Sequence, residues 1–359
     1  MSPAPAPAPT PTPRPRPRLP GGRRAGPHLP IHMGLLHAAE RAAEIQAWSI
    51  QIFTDNPTAW HRRASPPAEV PAFRRRLAEL DVAPLAIHAA YLVNLAGPDP
   101  ILFGKSVEVL RHELRHAPEY GARFVNVHAG SHRGSGREAG VERLVEGLSR
   151  AIGDLPAGPD DPFLVVENSS GGGDAIGVTI EDLAAVLDKA GRRGVDGRLR
   201  FCLDTAHLWG AGYDISTPAA IDRLVAEFDS RVGLERLAMI HLNDTLSGLG
   251  SRHDRHIHLG EGQIGPAALT RLLRHPALAG VAFYLETPRM EHGYDAVNMA
   301  RVYDLAAGRP LTPGPEPAAI EGSGPSGRSG TAEGPGAAEH STGAAEGSGA
   351  AEHSTGAGR

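Results

Sequence analysis

The stretch HLNDTLSGLGSRHDRHIHLGEGQIG, residues 241–265, concentrates groups that bind cations or move protons. It holds His241, His253, His256 and His258 together with Asp244, Asp254 and Glu261, in a run too rich in glycine to make a helix. A solvated loop has no need of imidazoles, and a core strand does not tolerate unpaired charge, so the segment asks for a ligand. Asp254 and His256 lie two apart, which in extended chain puts both side chains on one side. Residues of the same kind end short apolar runs elsewhere: IH at His88, VNVH at His128, LVVE at Glu167, FCLD at Asp204, AMIH at His241 and YLE at Glu286. DTAH adds His207 three residues after Asp204. One polar residue at a strand end is ordinary; a set of six, all of ligand type, points to a site. With the loop residues the set reaches nine, and zinc takes about four ligands, so two or three ions are implied. Imidazole with carboxylate suits zinc and also admits manganese or iron, and close metal pairs belong above all to phosphoester and peptide hydrolysis. The single cysteine, Cys202, excludes a Cys-rich zinc module and an internal disulfide framework.

Something must hold these residues at one place. Apolar or β-branched runs at 26–29, 48–53, 85–88, 124–128, 163–167, 200–204, 238–242 and 281–286 read as eight strands. Between them, segments such as LLHAAERAAEI, AFRRRLAEL, EDLAAVLDKAG and AAIDRLVAEF space apolar residues by three and four, as helices do. Eight strand–helix units over about 280 residues predict an α/β fold, a (β/α)8 TIM barrel, whose active sites sit at the C-terminal ends of the strands. A doubly wound open sheet is the alternative, but no GxGxxG follows the first strand.

The ends of the chain read differently. Residues 1–25 alternate proline and carry five arginines with no acid, the composition of an extended, disordered tail. Residues 310–359 are rich in Gly, Ala, Ser and Glu, carry two arginines against six glutamates and repeat GAAEHST, too short and polar a unit to bury a face. The barrel domain is therefore expected at 26–309, and His340 and His353 fall outside the site. With a net charge of −5 overall, the central region carries −6. That balance disfavours a nucleic-acid partner unless divalent cations sit in the core. A hydrophobic fraction of 41% can fill a large core, no apolar run has the length of a membrane span, and the N-terminus lacks a secretory apolar region. A cytoplasmic monomer with no membrane partner is the expectation.

The chain resembles the endonuclease IV family, the zinc-dependent apurinic/apyrimidinic endonucleases of DNA base-excision repair. The likeness runs from about residue 26 to 303 and rests on GPHLPIHMGL, FTDNPTAW, HAAYLVNLAGP, VHAGSH, ENSSGGG, CLDTAHLWGAGYDI, HLND, GSRHDRHIHLGEGQIG and LETP. DTAHLWGAGYD and DRHIHLGEGQIG are its specific parts. The resemblance implies three zinc ions, with manganese an alternative at one of them. His88, His128 and Glu167 would hold the first; Glu167 would bridge to a second held also by Asp204, His241 and Glu286; His207, Asp254 and His256 would hold the third. It implies hydrolysis of the phosphodiester 5′ to an abasic site in double-stranded DNA, leaving a 3′-hydroxyl. Glu167 and Glu286 are then the catalytic carboxylates, one bridging and one orienting water. Tyr91 and Leu92 match residues that wedge into the minor groove, and Arg252 and Arg255, flanking the ligands, suit phosphate contacts. The sequence departs from the family pattern in FTDNPTAW, where Pro57, Thr58 and Ala59 replace a stretch that commonly carries a long polar side chain, in Ala129 of HAGSH and in ENSSGGG. Two competing readings are a sugar isomerase or epimerase of the xylose-isomerase-like barrels and a DNA-damage binder without turnover. The isomerases do not require His88, His128, His207 and the DRH loop together.

Overall fold

The computed structural model describes residues 16–153, 155, 158, 160–289 and 292–315. The expected tails fall largely outside these residues. Eight strands form one parallel sheet: β1 (Arg24–Pro27), β2 (Ile50–Ile52), β3 (Leu85–His88), β4 (Ala122–His128), β5 (Phe163–Glu167), β6 (Leu199–Asp204), β7 (Leu237–His241) and β10 (Ala282–Leu285). Their order, β1-β10-β7-β6-β5-β4-β3-β2, follows the chain around a barrel, and a parallel bridge between His28 and Gln51 closes the seam between β1 and β2. Helices α1 (Leu35–Glu44), α2 (Val70–Glu79), α3 (Pro100–Tyr120), α4 (Arg137–Ile152), α5 (Ile180–Arg192), α6 (Thr205–Gly210), α7 (Pro218–Arg231), α8 (Pro266–Arg274) and α9 (Tyr294–Ala307) fill the connections. A short hairpin, β8 (Asp244–Thr245) with β9 (His256–Ile257), stands apart from the sheet.

Local chemistry explains the joints. Asp99 caps α3, accepting from the amides of Ile101 and Leu102, and α5 begins with a capping box between Thr179 and Asp182. Gly26 is needed in β1 because a Cβ there would lie 1.5 Å from the Ser49 carbonyl oxygen. The barrel starts earlier than the sequence suggests. Leu19 is buried, the Trp48 indole donates to the Pro17 carbonyl at 2.9 Å, and Arg24 and Ala25 belong to β1. It also runs later: the Thr312 amide and hydroxyl both bond the Asp304 carboxylate.

Strand alternation divides the core. One set of buried side chains, among them Phe73, Leu110, Leu144, Phe201 and Phe228, packs strands against helices. A second set, Ala86, Phe124, Val165, Cys202, Met239, Ala282 and Tyr284, fills the lumen. Ala86, Val165, Cys202, Met239 and Tyr284 each precede a strand-end His, Asp or Glu by two residues and so share its face. The apolar lumen is therefore the floor on which the polar site stands. Among the described residues no helix is long and apolar enough to cross a membrane.

Candidate metal centre

The ends of β3 to β7 place His88, His128, Glu167, Asp204 and His241 around one mouth, and Glu286 follows the last residue of β10. Register sets the neighbours: His128 pairs with Glu167, and Asp204 with His241. Asp204 also caps α6, accepting from the His207 amide at 2.9 Å, so one helical turn brings His207 back over the site. The hairpin pairs Thr245 with His256, which returns the loop carrying Asp254 to the same mouth.

The distances are short. The Nε2 atoms of His88 and His128 lie 3.5 and 3.6 Å from Glu167 Oε2. His241 Nδ1 lies 3.3 Å from Glu167 Oε1 and 3.3 Å from Glu286 Oε2. Asp254 spans two imidazoles, at 3.0 Å from His207 Nε2 and 2.8 Å from His256 Nε2. His88, His128 and Glu167 form one group with donor atoms within 4.8 Å of one another; Glu167, Asp204, His241 and Glu286 form a second; Asp204, His207 and His256 form a third. The nine residues singled out in the sequence thus meet in one place, with Asp254 entering through its contacts to His207 and His256.

The donor set fits divalent cations. His88 Nδ1 lies 2.7 Å from the Ala89 carbonyl, His207 Nδ1 3.0 Å from that of Asn168 and His256 Nδ1 3.0 Å from that of Glu286. A carbonyl only accepts, so each Nδ1 carries its proton and each Nε2 turns a lone pair to the carboxylates, the arrangement that orients metal-binding histidines. His241 Nδ1, His256 Nε2 and Glu167 Oε1 are buried without a hydrogen-bond partner. Buried acceptors facing one another are costly unless a cation lies between them. The fit is to oxygen and nitrogen ligands in the zinc or manganese manner.

Without a cation the same groups compensate one another by protonation. Burial works against charge on Glu167, yet the surrounding imidazoles of His241, His128 and His207 hold its carboxyl well below the usual range. Burial likewise opposes charge on His207 and His241; Asp204, Asp254 and Glu167 push the first well above the ordinary imidazole value, and Cys202, Glu286 and Glu167 the second. His256 is opposed by burial too, but Asp204 and Asp254 raise it to about 9. His128 moves the other way, because desolvation within the cluster outweighs the attraction of Glu167.

Amides that the sequence reading passed over hold the carboxylates. Asn126 Nδ2 donates to Glu167 Oε2 at 2.6 Å, and Asn243 Nδ2 to Asp204 Oδ2 at 2.7 Å. Asn168 Oδ1 accepts from the Asp204 amide at 2.6 Å. The available signal was a buried-strand amide, in VNVH, or an Asn directly after a ligand position, in EN and one further on in HLND. Asp244 looks like another ligand in sequence but serves the loop. Its buried carboxylate accepts from the backbone amides of Thr245, Gly260, Gly262 and Ile264. A Cβ on Gly262 would meet it at 2.3 Å, which accounts for the glycine in GEGQIG. Replacing Asp244 by alanine strands four backbone donors, two of them buried. We expect a stability loss of about 3 kcal/mol or more in urea unfolding, and a loss below about 1 kcal/mol would remove Asp244 as the loop's anchor.

Of the residues expected at a DNA surface, Tyr91 is 60% exposed at the lip. Its ring lies 5.0 Å from that of Phe53 and 6.1 Å from that of His88. Leu92 beside it is half-buried, and Arg252 and Arg255 are exposed on the loop before β9. Arg252 takes a left-handed φ of 61°. Thr58 is exposed, with its amide and hydroxyl turned back onto Asn56 Oδ1, and Trp60 packs against the core. His258 stacks on Tyr294 at 3.7 Å and belongs to none of the three ligand groups, and His253 is exposed.

A family model described as Xylose isomerase-like TIM barrel matches residues 39–308. A probable endonuclease 4 of Natronomonas pharaonis is 39% identical over 282 residues, covering 79% of this chain and 98% of the relative. The crystal structure of endonuclease IV from Thermus thermophilus superposes with a TM-score of 0.69 at 38% identity, covering 79% of this chain and 99% of that one. A D-tagatose 3-epimerase-like protein shares the fold alone, at 16% identity and a TM-score of 0.56 over 79% of this chain and 97% of its own.

Proposed function

Since this chain belongs to the endonuclease IV family of xylose isomerase-like TIM barrels, we propose that it is a metal-dependent phosphodiesterase of DNA repair that incises duplex DNA 5′ to abasic sites. The product strand ends in a 3′-hydroxyl, and the enzyme acts as a cytoplasmic monomer. The observation that carries this reading is the convergence of five histidines and four carboxylates, with orphaned lone pairs among them, at the C-terminal mouth of the barrel. The sugar-isomerase reading uses only the subset Glu167, Asp204, His241 and Glu286. It leaves His88, His128, His207 and His256 without purpose.

We assign three zinc ions, with manganese an alternative at one: the first to His88, His128 and Glu167, the second to Glu167, Asp204, His241 and Glu286, the third to His207, Asp254 and His256. Bound divalent ions lower the pKa of water and offset charge on a phosphate under attack. The chain's own residues set the stage. Glu167, fully buried, cannot reach a substrate and acts as the shared carboxylate. Glu286, 18% exposed at its side chain, is open to a water and orients it. Tyr91 and Leu92 enter the minor groove beside the lesion, and Arg252 and Arg255 meet flanking phosphates. The short side chain of Thr58 makes the loop between β2 and α2 a weaker wedge, so grip on DNA rests more on Tyr91 and Leu92.

The test is a duplex oligonucleotide with one abasic analogue, incubated with zinc-loaded protein beside an undamaged duplex and a chelated sample. We expect one incision 5′ to the lesion that chelation abolishes. Tight lesion binding without incision would replace the enzyme by a damage binder, and neither binding nor incision would return the sugar substrates to consideration.

A further inference from the structure

Gln51 occupies the seam where the barrel closes. It sits in β2 between Ile50 and Ile52, fully buried, with its carbonyl accepting from the Leu29 amide across the seam at 2.8 Å. A buried primary amide needs partners for two donors and an acceptor. Gln51 Nε2 lies 2.6 Å from Glu286 Oε1 and 3.1 Å from His28 Nδ1, and Gln51 Oε1 lies 3.1 Å from His241 Nε2. Its partners stand on or beside β1, β7 and β10, so one side chain ties four strands.

These contacts admit one assignment of the amide. Glu286 Oε1 is a carboxylate oxygen and requires a donor, so the NH2 group points to it. The amide oxygen then faces His241 and requires a donor in turn, so His241 carries its proton on Nε2. That leaves the lone pair of His241 on Nδ1, the atom 3.3 Å from both Glu167 and Glu286 and without a hydrogen-bond partner. A reversed amide would set two oxygens 2.6 Å apart and force a proton onto Nδ1, removing His241 from any cation's reach. Gln51 makes no hydrogen bond to His88, His128, His207, Asp254 or His256 among the described contacts.

We propose that Gln51 is a positioning residue for one ion only, the one held by Glu167, Asp204, His241 and Glu286, through the direction of Glu286 and the tautomer of His241. The proposal rests on the metal reading above. Gln51→Met keeps the length of the side chain and removes every hydrogen bond. Zinc content after dialysis against buffered zinc is expected to fall by one ion per chain relative to wild type. In 15N-histidine spectra of the zinc-loaded protein, the resonance pattern of His241 bound through Nδ1 with a proton on Nε2 is expected to disappear, while those of His88 and His207 persist. The kcat for abasic duplex is expected to drop roughly 10- to 100-fold, as for other outer partners of metal ligands, with KM little changed. Gln51→Glu, equal in shape but unable to donate to Glu286, is expected to lose the same ion. Full zinc content with the wild-type His241 pattern in both variants overturns the proposal. So does an equal loss of all ions, which would make Gln51 a structural residue of the seam. A wild-type protein that takes up no zinc fails the metal reading itself, a result seen before any variant is compared.

Discussion

Glu167→Gln is expected to abolish incision. The carboxylate touches more of the site than any other group: Oε2 faces His88 and His128 at 3.5 and 3.6 Å, and Oε1 faces His241 and His207 at 3.3 and 3.1 Å. Glutamine has nearly the same shape, so packing above the lumen residues Val165 and Cys202 survives. What changes is charge and direction. An amide NH2 would donate where cations are to sit, and the shared anionic bridge between the first two groups would vanish. Metal ions contribute several kcal/mol of transition-state charge stabilisation, and about 4 kcal/mol corresponds to roughly a thousandfold in rate. We therefore expect single-turnover incision to fall by about 10³-fold or more, with zinc content reduced and far-ultraviolet circular dichroism unchanged. Incision within tenfold of wild type at full zinc content would show that Glu167 is a core residue and not the bridge.

Much of this arrangement was legible because a parallel barrel converts a one-dimensional pattern into a ring. Each strand that ends in His, Asp or Glu delivers that residue to the same mouth, whatever the loops do, and the runs 85–88 and 163–167 are the observed β3 and β5. The start of the barrel was less legible. Arg24 looks like part of a basic tail, yet it pairs with Asp81 at 2.9 Å and lies over the Trp48 ring, contacts made by distant segments. The amides were illegible for a related reason. Alternation says that Gln51 and Asn126 face the lumen, but which carboxylate each meets depends on the stagger between strands, and for Gln51 on where the barrel closes. Asp244 shows the converse: its residue type suggests a ligand, and only the loop that wraps it with four backbone amides reveals an anchor.

The cluster proposed to receive cations is expected to make the metal-free protein most stable in mild acid, and the two effects have opposite pH dependence. In the metal-free protein the raised values of His207, His241 and His256 mean that their contribution is complete below the ordinary imidazole value of 6.5. For His256 it is lost as pH rises through about 9. The lowered values of Glu167 and Glu286 contribute above the ordinary carboxyl value of 4.5 and are lost as pH falls through their folded values. Metal-free stability should therefore be greatest between about pH 4.5 and 6.5 and decline toward pH 9. His256 alone accounts for a few kcal/mol of that decline, each pKa unit being about 1.4 kcal/mol. Cations, however, need neutral imidazoles, so protons and metal compete, and metal binding strengthens as pH rises. The increase in unfolding temperature produced by saturating zinc over the chelated protein is thus expected to be small near pH 5.5 and to widen steadily to pH 8.5. Zinc uptake in weakly buffered solution at pH 7 is expected to release protons, measurable by calorimetry in two buffers of different ionisation enthalpy. A zinc-induced gain that is flat across this range, with no proton release, would mean that the histidines are already neutral and that the carboxylates do not hold them charged.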